Sequence, residues 1–312
     1  MKESVWTWPI ASYLFLGGLG SSMTIIAAVS DLFFGSGSLF ALCLLVSAVV
    51  LVFGSFLLIF ELGRPFQFWR VFSMQKAVLT FGAWMVGLLM VLNIVYFSFW
   101  VDWFPWRSLE TLRLIVAGAA IIVGFGVLLY TGIELSSMKG RVMWNTPVMP
   151  ILFAVSGLLT GFAANILLYG LWPYKADGSN DALSTVVTPA TMKTLCIGLL
   201  VTTLVVTLVY LFMTLTSSNT SARKAALRWL KGSYSLTFWG GLVGLGLLLP
   251  ITLLACGAST LNSIGYLLIL VGGVFLRFLV VYSADRRVLP GEELYWNRLP
   301  KGKEHFLKKN WG

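Results

Sequence analysis

The amino-acid sequence predicts an all-α membrane protein with eight transmembrane helices and a polar C-terminal tail. Of its 312 residues, 58% are hydrophobic and only 11% are charged, whereas a soluble domain carries about 25% charged residues. The mean hydropathy is +0.88. The 13 Trp, 10 Tyr and 22 Phe residues fit the aromatic belts that polytopic proteins place at the lipid interface.

Eight apolar runs are each long enough to cross about 30 Å of hydrocarbon, which takes roughly 20 residues of helix. Backbone polar groups find no water in lipid, so these runs must be helices that satisfy their own hydrogen bonds. The glycine-rich stretches "GGLGSS" and "GGLVGLG" indicate close helix packing, and Pro250 predicts a kink in the seventh helix. The runs cover residues 10–33, 38–61, 78–100, 112–133, 147–172, 190–216, 236–257 and 260–283.

A short internal repeat predicts that the helices form two similar halves. The segments "PIASYLF" and "PVMPILF" align Pro9 with Pro147, Leu14 with Leu152 and Phe15 with Phe153. The fourth and eighth helices both finish with a tyrosine. We therefore predict one transmembrane domain over residues 1–283, with halves 1–140 and 141–283, followed by the polar tail 284–312.

The distribution of basic residues predicts the orientation in the membrane. Eight spans place both termini on one side, which carries 17 Lys and Arg residues against four on the other side. The positive-inside rule makes the richer side cytoplasmic. A basic face can also receive an acidic partner, so we assign the net charge of +10 to cytoplasmic loops and a partner's docking surface rather than to nucleic-acid binding.

The small number of His and Cys residues limits which cofactors the protein can bind. Cys43, Cys196 and Cys256 lie in separate apolar runs, which argues against a disulfide framework. The one histidine, His305, is in the polar tail. Because haem and iron–sulfur clusters need His or Cys ligands, we expect neither haem nor metal in this protein. Any electron transfer would then use an organic cofactor.

Four segments rich in polar and aromatic side chains meet on the terminal side of the membrane. Indoles prefer the interface, so the tryptophans are expected to be interfacial anchors. The segments are "WTWPIASY" with Trp6, Trp8 and Tyr13; "FELGRP" with Glu61 and Arg64; "YTGIELSSMKGR" with Tyr130 and Glu134; and "WNTPVMP" with Trp144 and Asn145.

Glu61 is the leading candidate for chemistry among these residues, because a carboxylate inside the membrane is costly and indicates function. A plain ion pair with Arg64 is the alternative, and Arg64 can also snorkel towards the headgroups. The hydroxyl of Tyr13 needs a partner, which is equally a structural hydrogen bond or a ligand.

Other polar residues lie deeper in the predicted helices. Arg277, about two turns inside the eighth helix, requires a carboxylate, carbonyls or water. We expect it either to pair with Glu61 or Glu134 or to serve a proton path. Asn93 and Asn165 are expected to make hydrogen bonds between helices.

This inventory fits two classes of function. Quinone chemistry needs donors for the carbonyl oxygens, an apolar cleft for ring and tail, and an ionisable group that passes protons. A secondary transporter or ion-translocating subunit can present the same residues, and transporters are often built from repeats.

The same four segments, in this order, resemble the NrfD/PsrC family of membrane subunits from polysulfide-reductase-type respiratory complexes. The likeness also includes "FGAWMVG" and the arginine near the end of the eighth helix, and it spans residues 5–283. It implies a haem-free, eight-helix anchor in a prokaryotic cell membrane that binds menaquinone or ubiquinone. Such anchors dock a ferredoxin-like subunit with four iron–sulfur clusters. That subunit connects them to a molybdopterin catalytic subunit or to multihaem cytochromes, so the terminal substrate chemistry lies on a partner.

The resemblance also implies roles for individual residues. Tyr130 would be a ligand to a quinone oxygen, Glu61 the carboxylate of the proton relay, and Gly63 part of the cleft wall. The polysulfide reductases of this family place Asn and His on the first helix, where this protein has Ile10 and Tyr13. The candidate site residues are Trp8, Tyr13, Glu61, Gly63, Arg64 and Tyr130 for the quinone, with Glu61 and Arg277 for proton relay.

Overall fold

The structure, a computed structural model, describes residues 8–35, 37–61, 78–169, 188–217, 219–257 and 259–283. These residues form helices and short connections, without a strand among them. Eight of the helices are long enough and apolar enough to cross a membrane. The number and order of the predicted spans are thereby confirmed, whereas the predicted polar tail, 284–312, lies outside the described residues.

The first four spans are long, nearly continuous helices. Short 3₁₀ helices precede the second and fourth spans, at Gly37–Phe40 and Pro105–Ser108. The four helices are α1 (Trp8–Phe34), α2 (Ala41–Glu61), α3 (Val78–Ser98) and α4 (Glu110–Ser136).

The remaining spans include two features that the apolar pattern did not predict. One is a short helix between the sixth and seventh spans, and the other is a π-helical segment that forms the first part of the seventh span. In sequence order the elements are α5 (Val148–Leu168), α6 (Pro189–Leu215), α7 (Thr220–Lys231), the π-helical segment (Leu236–Leu248), α8 (Leu249–Cys256) and α9 (Ser259–Ser283).

Helix α1 lies at the centre of the bundle and packs against α2, α4, α5 and α9. Its small residues permit this: a methyl group at Gly20 would come within 2.8 Å of the Leu51 side chain on α2. Likewise, a methyl group at Gly161 of α5 would overlap Ser22 of α1. Lipid supplies no hydrophobic force between helices, so association depends on such close packing. The prediction from "GGLGSS" is therefore confirmed.

The second half has a comparable contact between the π-helical segment and α9. A Cβ atom on Gly246 would lie 2.5 Å from the Cα atom of Gly272. The π pattern ends where the N–H of Leu249 bonds the carbonyl oxygen of Gly244. Pro250 then lies in the first turn of α8. Because proline has no N–H, Pro250 cannot donate to the π ladder, and the predicted kink at this residue stays a prediction.

A buried polar network joins the first three helices in the middle of the bundle. Thr24 Oγ1 donates to Asn93 Oδ1 at 2.8 Å and lies 2.9 Å from Ser47 Oγ. Asn93 Nδ2 donates to Ser47 Oγ at 3.0 Å, and Ser47 donates to the Gly20 carbonyl at 2.7 Å. Asn165 Nδ2 donates to a carbonyl of α1 at 3.0 Å. Both asparagines thus make the predicted hydrogen bonds between helices.

We expect Gly246→Leu to destabilise the bundle, because the added side chain has no space beside Gly272. Overpacking of this kind costs about 1–3 kcal/mol, which thermal unfolding in detergent would record as a lower midpoint. The matched control is Gly240→Leu in the same segment, where a methyl group meets only Leu236 at 3.6 Å. Equal midpoints for the two variants would contradict the proposed contact.

Candidate functional site

The candidate site lies at the terminal end of the bundle, defined as the end that holds Trp8 and Ser283. Successive spans alternate in direction, so α2 and α4 also finish at this end. Glu61 is the last residue of α2. Its side chain, Gly63 and Arg64 lie outside the described residues, and their roles stay predictions.

Tyr13, Tyr130 and Glu134 form what we call the tyrosine cluster. Both tyrosines are buried, and the half-buried carboxylate of Glu134 interacts electrostatically with both. The hydroxyl of Tyr130 is buried, and among the described residues it interacts with the Glu134 carboxylate without the geometry of a full hydrogen bond. Buried polar groups are usually fully paired, so this hydroxyl has hydrogen-bonding capacity for a ligand. The structure therefore brings together two predicted site residues, Tyr13 and Tyr130, with an ionisable neighbour.

Glycines on neighbouring helices make room for the two tyrosine rings. A methyl group at Gly82 of α3 would overlap the ring of Tyr130. At Gly54 of α2, a methyl group would come within 3.7 Å of the Tyr13 ring and 3.1 Å of Leu16. The absence of side chains at these points lets α2 and α3 close against the cluster.

An apolar groove of about 320 Å³ lies between α1, α2 and α9. Trp8 lines it and is 56% exposed, as expected for an interfacial tryptophan. Leu16 also lines it, and both Leu16 and Tyr13 approach Gly54, so the groove adjoins the tyrosine cluster. The lining residues are Trp8, Ser12, Phe15, Leu16, Phe53, Leu57, Val274 and Phe278.

Arg277 is buried where α1, α5 and α9 meet. Its Nη1 atom donates to Ser156 Oγ at 2.7 Å, and its Nη2 atom donates to the Phe153 carbonyl at 3.2 Å. The guanidinium carbon lies 4.1 Å from the centre of the Phe153 ring, a cation–π contact. The structure shows no ion pair with Glu134, so that predicted pairing is wrong, whereas the alternative pairing with Glu61 stays a prediction because the Glu61 side chain lies outside the described residues. Neutral oxygens and an aromatic face stabilise Arg277 instead, and its role in proton relay stays a prediction.

Trp144 is not the interfacial anchor that the sequence predicts. Its side chain is fully buried, and Nε1 donates to the Val280 carbonyl at 2.7 Å. The guanidinium of Arg141 lies 4.7 Å from the centre of an indole ring of Trp144. Trp144 thus fastens the α4–α5 connection to α9. Trp6, the other predicted anchor in "WTW", lies outside the described residues.

Sequence reasoning missed a buried charged group at the opposite end of the bundle. Asp31 of α1 accepts a hydrogen bond from Tyr96 at 2.7 Å and lies 3.4 Å from Arg113 Nε. The guanidinium of Arg113 also lies 4.6 Å from the centre of a Trp100 ring. The sequence feature that could have predicted this group is a carboxylate inside the first apolar run, Asp31. These contacts join α1, α3 and α4 at that end of the bundle.

The described residues contain no group of three or more His, Cys, Asp or Glu side chains that could hold a metal ion. The polar atoms at the terminal end are instead phenolic hydroxyls and a carboxylate. Phenolic hydroxyls donate hydrogen bonds, and a carboxylate accepts and releases protons.

The fold and this site define an integral membrane protein whose eight spans enclose a buried tyrosine–carboxylate cluster. The family described as "Polysulphide reductase, NrfD" matches residues 1–288. The protein therefore belongs to the NrfD family, which confirms the resemblance found in the sequence.

Known relatives align with this protein over nearly its whole sequence. The C subunit of polysulfide reductase from Wolinella succinogenes is 30% identical, covering 90% of this protein and 94% of the relative. Protein NrfD of Escherichia coli (strain K12) is 27% identical, covering 92% and 97% respectively. A protein NrfD homolog of Haemophilus influenzae is 28% identical, covering 91% and 95%.

We expect Gly82→Ala to destabilise the protein by about 1–3 kcal/mol, because the new methyl group overlaps the Tyr130 ring. Gly87→Ala on the same helix is the control, since nothing lies within 4 Å of a methyl group there. The decisive comparison is the double-mutant cycle with Tyr130→Ala, measured by thermal unfolding. Gly82→Ala should lower the free energy of unfolding much less in the Tyr130→Ala background, where the ring is absent. An unchanged cost would show that the two residues do not touch.

Proposed function

We propose that the protein is the quinone-reactive membrane subunit of a respiratory oxidoreductase complex. It would exchange electrons between menaquinone or ubiquinone in the membrane and the iron–sulfur clusters of a partner subunit. The observation that carries this proposal is the burial of the Tyr130 hydroxyl beside Tyr13 and the ionisable carboxylate of Glu134, with both of which it interacts.

The tyrosine cluster has the groups that this chemistry requires. A bound quinone would supply two-electron redox chemistry coupled to two protons. Tyr130 and Tyr13 would donate hydrogen bonds to carbonyl oxygens. Glu134, and Glu61 at the end of α2, would accept or release the protons as general acid–base groups. A buried donor with incomplete hydrogen bonding is unfavourable, so binding a carbonyl oxygen would stabilise the Tyr130 hydroxyl.

The apolar groove would hold the isoprenoid tail. Its walls are aromatic and aliphatic apart from Ser12, and it adjoins the tyrosine cluster at Gly54, which both Leu16 of the groove and Tyr13 of the cluster approach. Apolar walls with a few polar groups are typical of sites for small organic ligands. Trp8, at the exposed rim of the groove, would contact the tail rather than the carbonyl oxygens.

The proposed partners are supported by the small number of His and Cys residues in the sequence and by the names of the relatives. With His305 as its one histidine and three separated cysteines, it has few possible ligands for redox metals. The clusters would lie on a ferredoxin-like subunit with four clusters, which passes electrons to a molybdopterin subunit or a multihaem cytochrome. A relative that is named as the C subunit of a polysulfide reductase supports such a multi-subunit assembly in a prokaryotic cell membrane.

Ion translocation is the second candidate function, favoured by the polar groups in the bundle interior. Arg277 is buried without an acidic partner among the described residues, and Thr24, Ser47 and Asn93 form a polar network. Transporter sites usually lie near the middle of the membrane. Ion uptake by the isolated protein in proteoliposomes would favour this candidate, whereas co-purification with cluster-bearing subunits would favour the quinone anchor.

We expect Tyr130→Phe, Glu134→Gln and Glu61→Gln each to lower quinol oxidation by the intact complex by about 100-fold or more, the usual contribution of a positioned acid–base group. Stopped-flow oxidation of a quinol analogue would measure the change, with subunit composition checked by gel filtration. Tyr282→Phe is the matched control, because this half-buried tyrosine lies at the same end on α9. Normal turnover in all three variants would refute the assignment of the site.

We expect Val274→Trp to raise the KM for a long-tailed quinol about tenfold, because the indole fills part of the apolar groove. The estimate follows from a loss of one or two buried methylene contacts, each worth about 0.8 kcal/mol. The KM for a tail-less quinol should change little. Val271→Trp, one turn earlier on α9 and exposed, is the control. Equal effects on both quinols would argue against tail binding in the groove.

A further inference from the structure

Helix α7 is a short amphipathic helix that the proposed function does not use. It lies at the terminal end of the bundle, between the end of α6 and the start of the π-helical segment. Its N-cap, Asn219, accepts a hydrogen bond from the Ser221 N–H at 3.0 Å. A capped helix of this length in a connection raises the question of what its outer face contacts.

The inner face of α7 is fixed to the bundle. Trp229 is fully buried, with ring centres 5.9 Å from Tyr210 of α6 and 5.5 Å from Phe238 of the π-helical segment. Arg228 Nη2 donates to the Ser283 carbonyl at the end of α9, at 3.1 Å. Because the helix is held on three elements, the side chains of its outer face are presented in fixed positions.

The outer face of α7 is cationic. Arg223, Lys224 and Lys231 are exposed and make no ion pair with any residue that the structure describes. Along the sequence no acidic residue flanks α7 closely, because residues 182–284 contain neither Asp nor Glu. We call Arg223, Lys224, Leu227 and Lys231 the basic face. Its charge complements an anion supplied from outside the protein.

The level of α7 relative to the membrane identifies the source of that anion. Four residues, 216–219, join it to α6 and four more, 232–235, join it to the π-helical segment. Four residues reach at most about 14 Å, so α7 stays within about 14 Å of the ends of the two spans that it joins. Trp239, 50% exposed on the spanning segment, donates from Nε1 to the Leu230 carbonyl at 3.2 Å.

An exposed leucine distinguishes a lipid from an acidic protein as the occupant. Leu227 is 43% exposed on the basic face, and Leu236, at the start of the next span, is 83% exposed. Amphipathic helices at the membrane interface place Lys and Arg beside leucines that reach the acyl boundary. We propose that the basic face binds the phosphate headgroup of an anionic phospholipid, with Leu227 against its acyl chain.

The test is lipid retention by the purified full-length protein, counted by native mass spectrometry during titration with phosphatidylglycerol or phosphatidylcholine. We expect preference for phosphatidylglycerol, and Lys224→Gln/Lys231→Gln should weaken its binding about 25-fold. This follows from a factor of about five for each basic residue near an anionic surface. The control, Lys139→Gln/Lys193→Gln, removes the same charge elsewhere and should change binding less than threefold.

Charge rather than lysine shape should govern the binding, so Lys224→Arg/Lys231→Arg should retain phosphatidylglycerol as the unmodified protein does. Equal loss in the two glutamine variants would overturn the proposal, since it would reflect net charge alone. It would also be overturned if Lys224→Gln/Lys231→Gln kept the lipid but lost a co-purifying acidic subunit, because the face would then be a protein dock.

Discussion

The structure depends on one constraint, which is that a helix buried in a membrane must pair its polar groups within the bundle. Helix α1 meets this constraint by combining small residues with hydroxyls. Gly20 brings α2 close enough for Ser47 to donate to the Gly20 carbonyl, and the same hydroxyl extends the network to Asn93 of α3. Close packing and hydrogen bonding are therefore achieved by the same short stretch, so both depend on the identity of these small residues.

The same constraint explains the environment of the buried charges. Arg277 is stabilised by a hydroxyl, a carbonyl and an aromatic face, without an acid among the described residues. Asp31, at the opposite end of the bundle, accepts a hydrogen bond from the Tyr96 hydroxyl and forms an ion pair with Arg113. Several buried polar atoms lack a full hydrogen bond among the described residues, including Asp31 Oδ1, Arg277 Nε and the Tyr130 hydroxyl. Of these three, the Tyr130 hydroxyl lies at the terminal end beside the carboxylate of Glu134. A ligand oxygen would complete its hydrogen bonding, and Glu134 lies where it can exchange a proton.

Much of the fold could be predicted from the sequence, because the apolar runs that define spans are long and local. The asparagine hydrogen bonds could also be predicted, since an amide in lipid has to find a partner. Trp144 could not be placed, because only the fold brings it to the Val280 carbonyl. The π-helical segment and α7 were missed for different reasons. The first has the same apolar composition as an α-helix, and the second is too short and too basic to appear as an apolar run.

The central claim is that Tyr130 donates a hydrogen bond to a quinone oxygen. Infrared difference spectroscopy of the purified complex, loaded with quinone that carries ¹³C at its carbonyl groups, tests it most directly. The account predicts a bound carbonyl band shifted to lower frequency than in free quinone, with the shift lost in Tyr130→Phe while the quinone stays bound. A shifted band that is identical in the protein and in Tyr130→Phe would contradict the claim, as would a complex that binds no quinone.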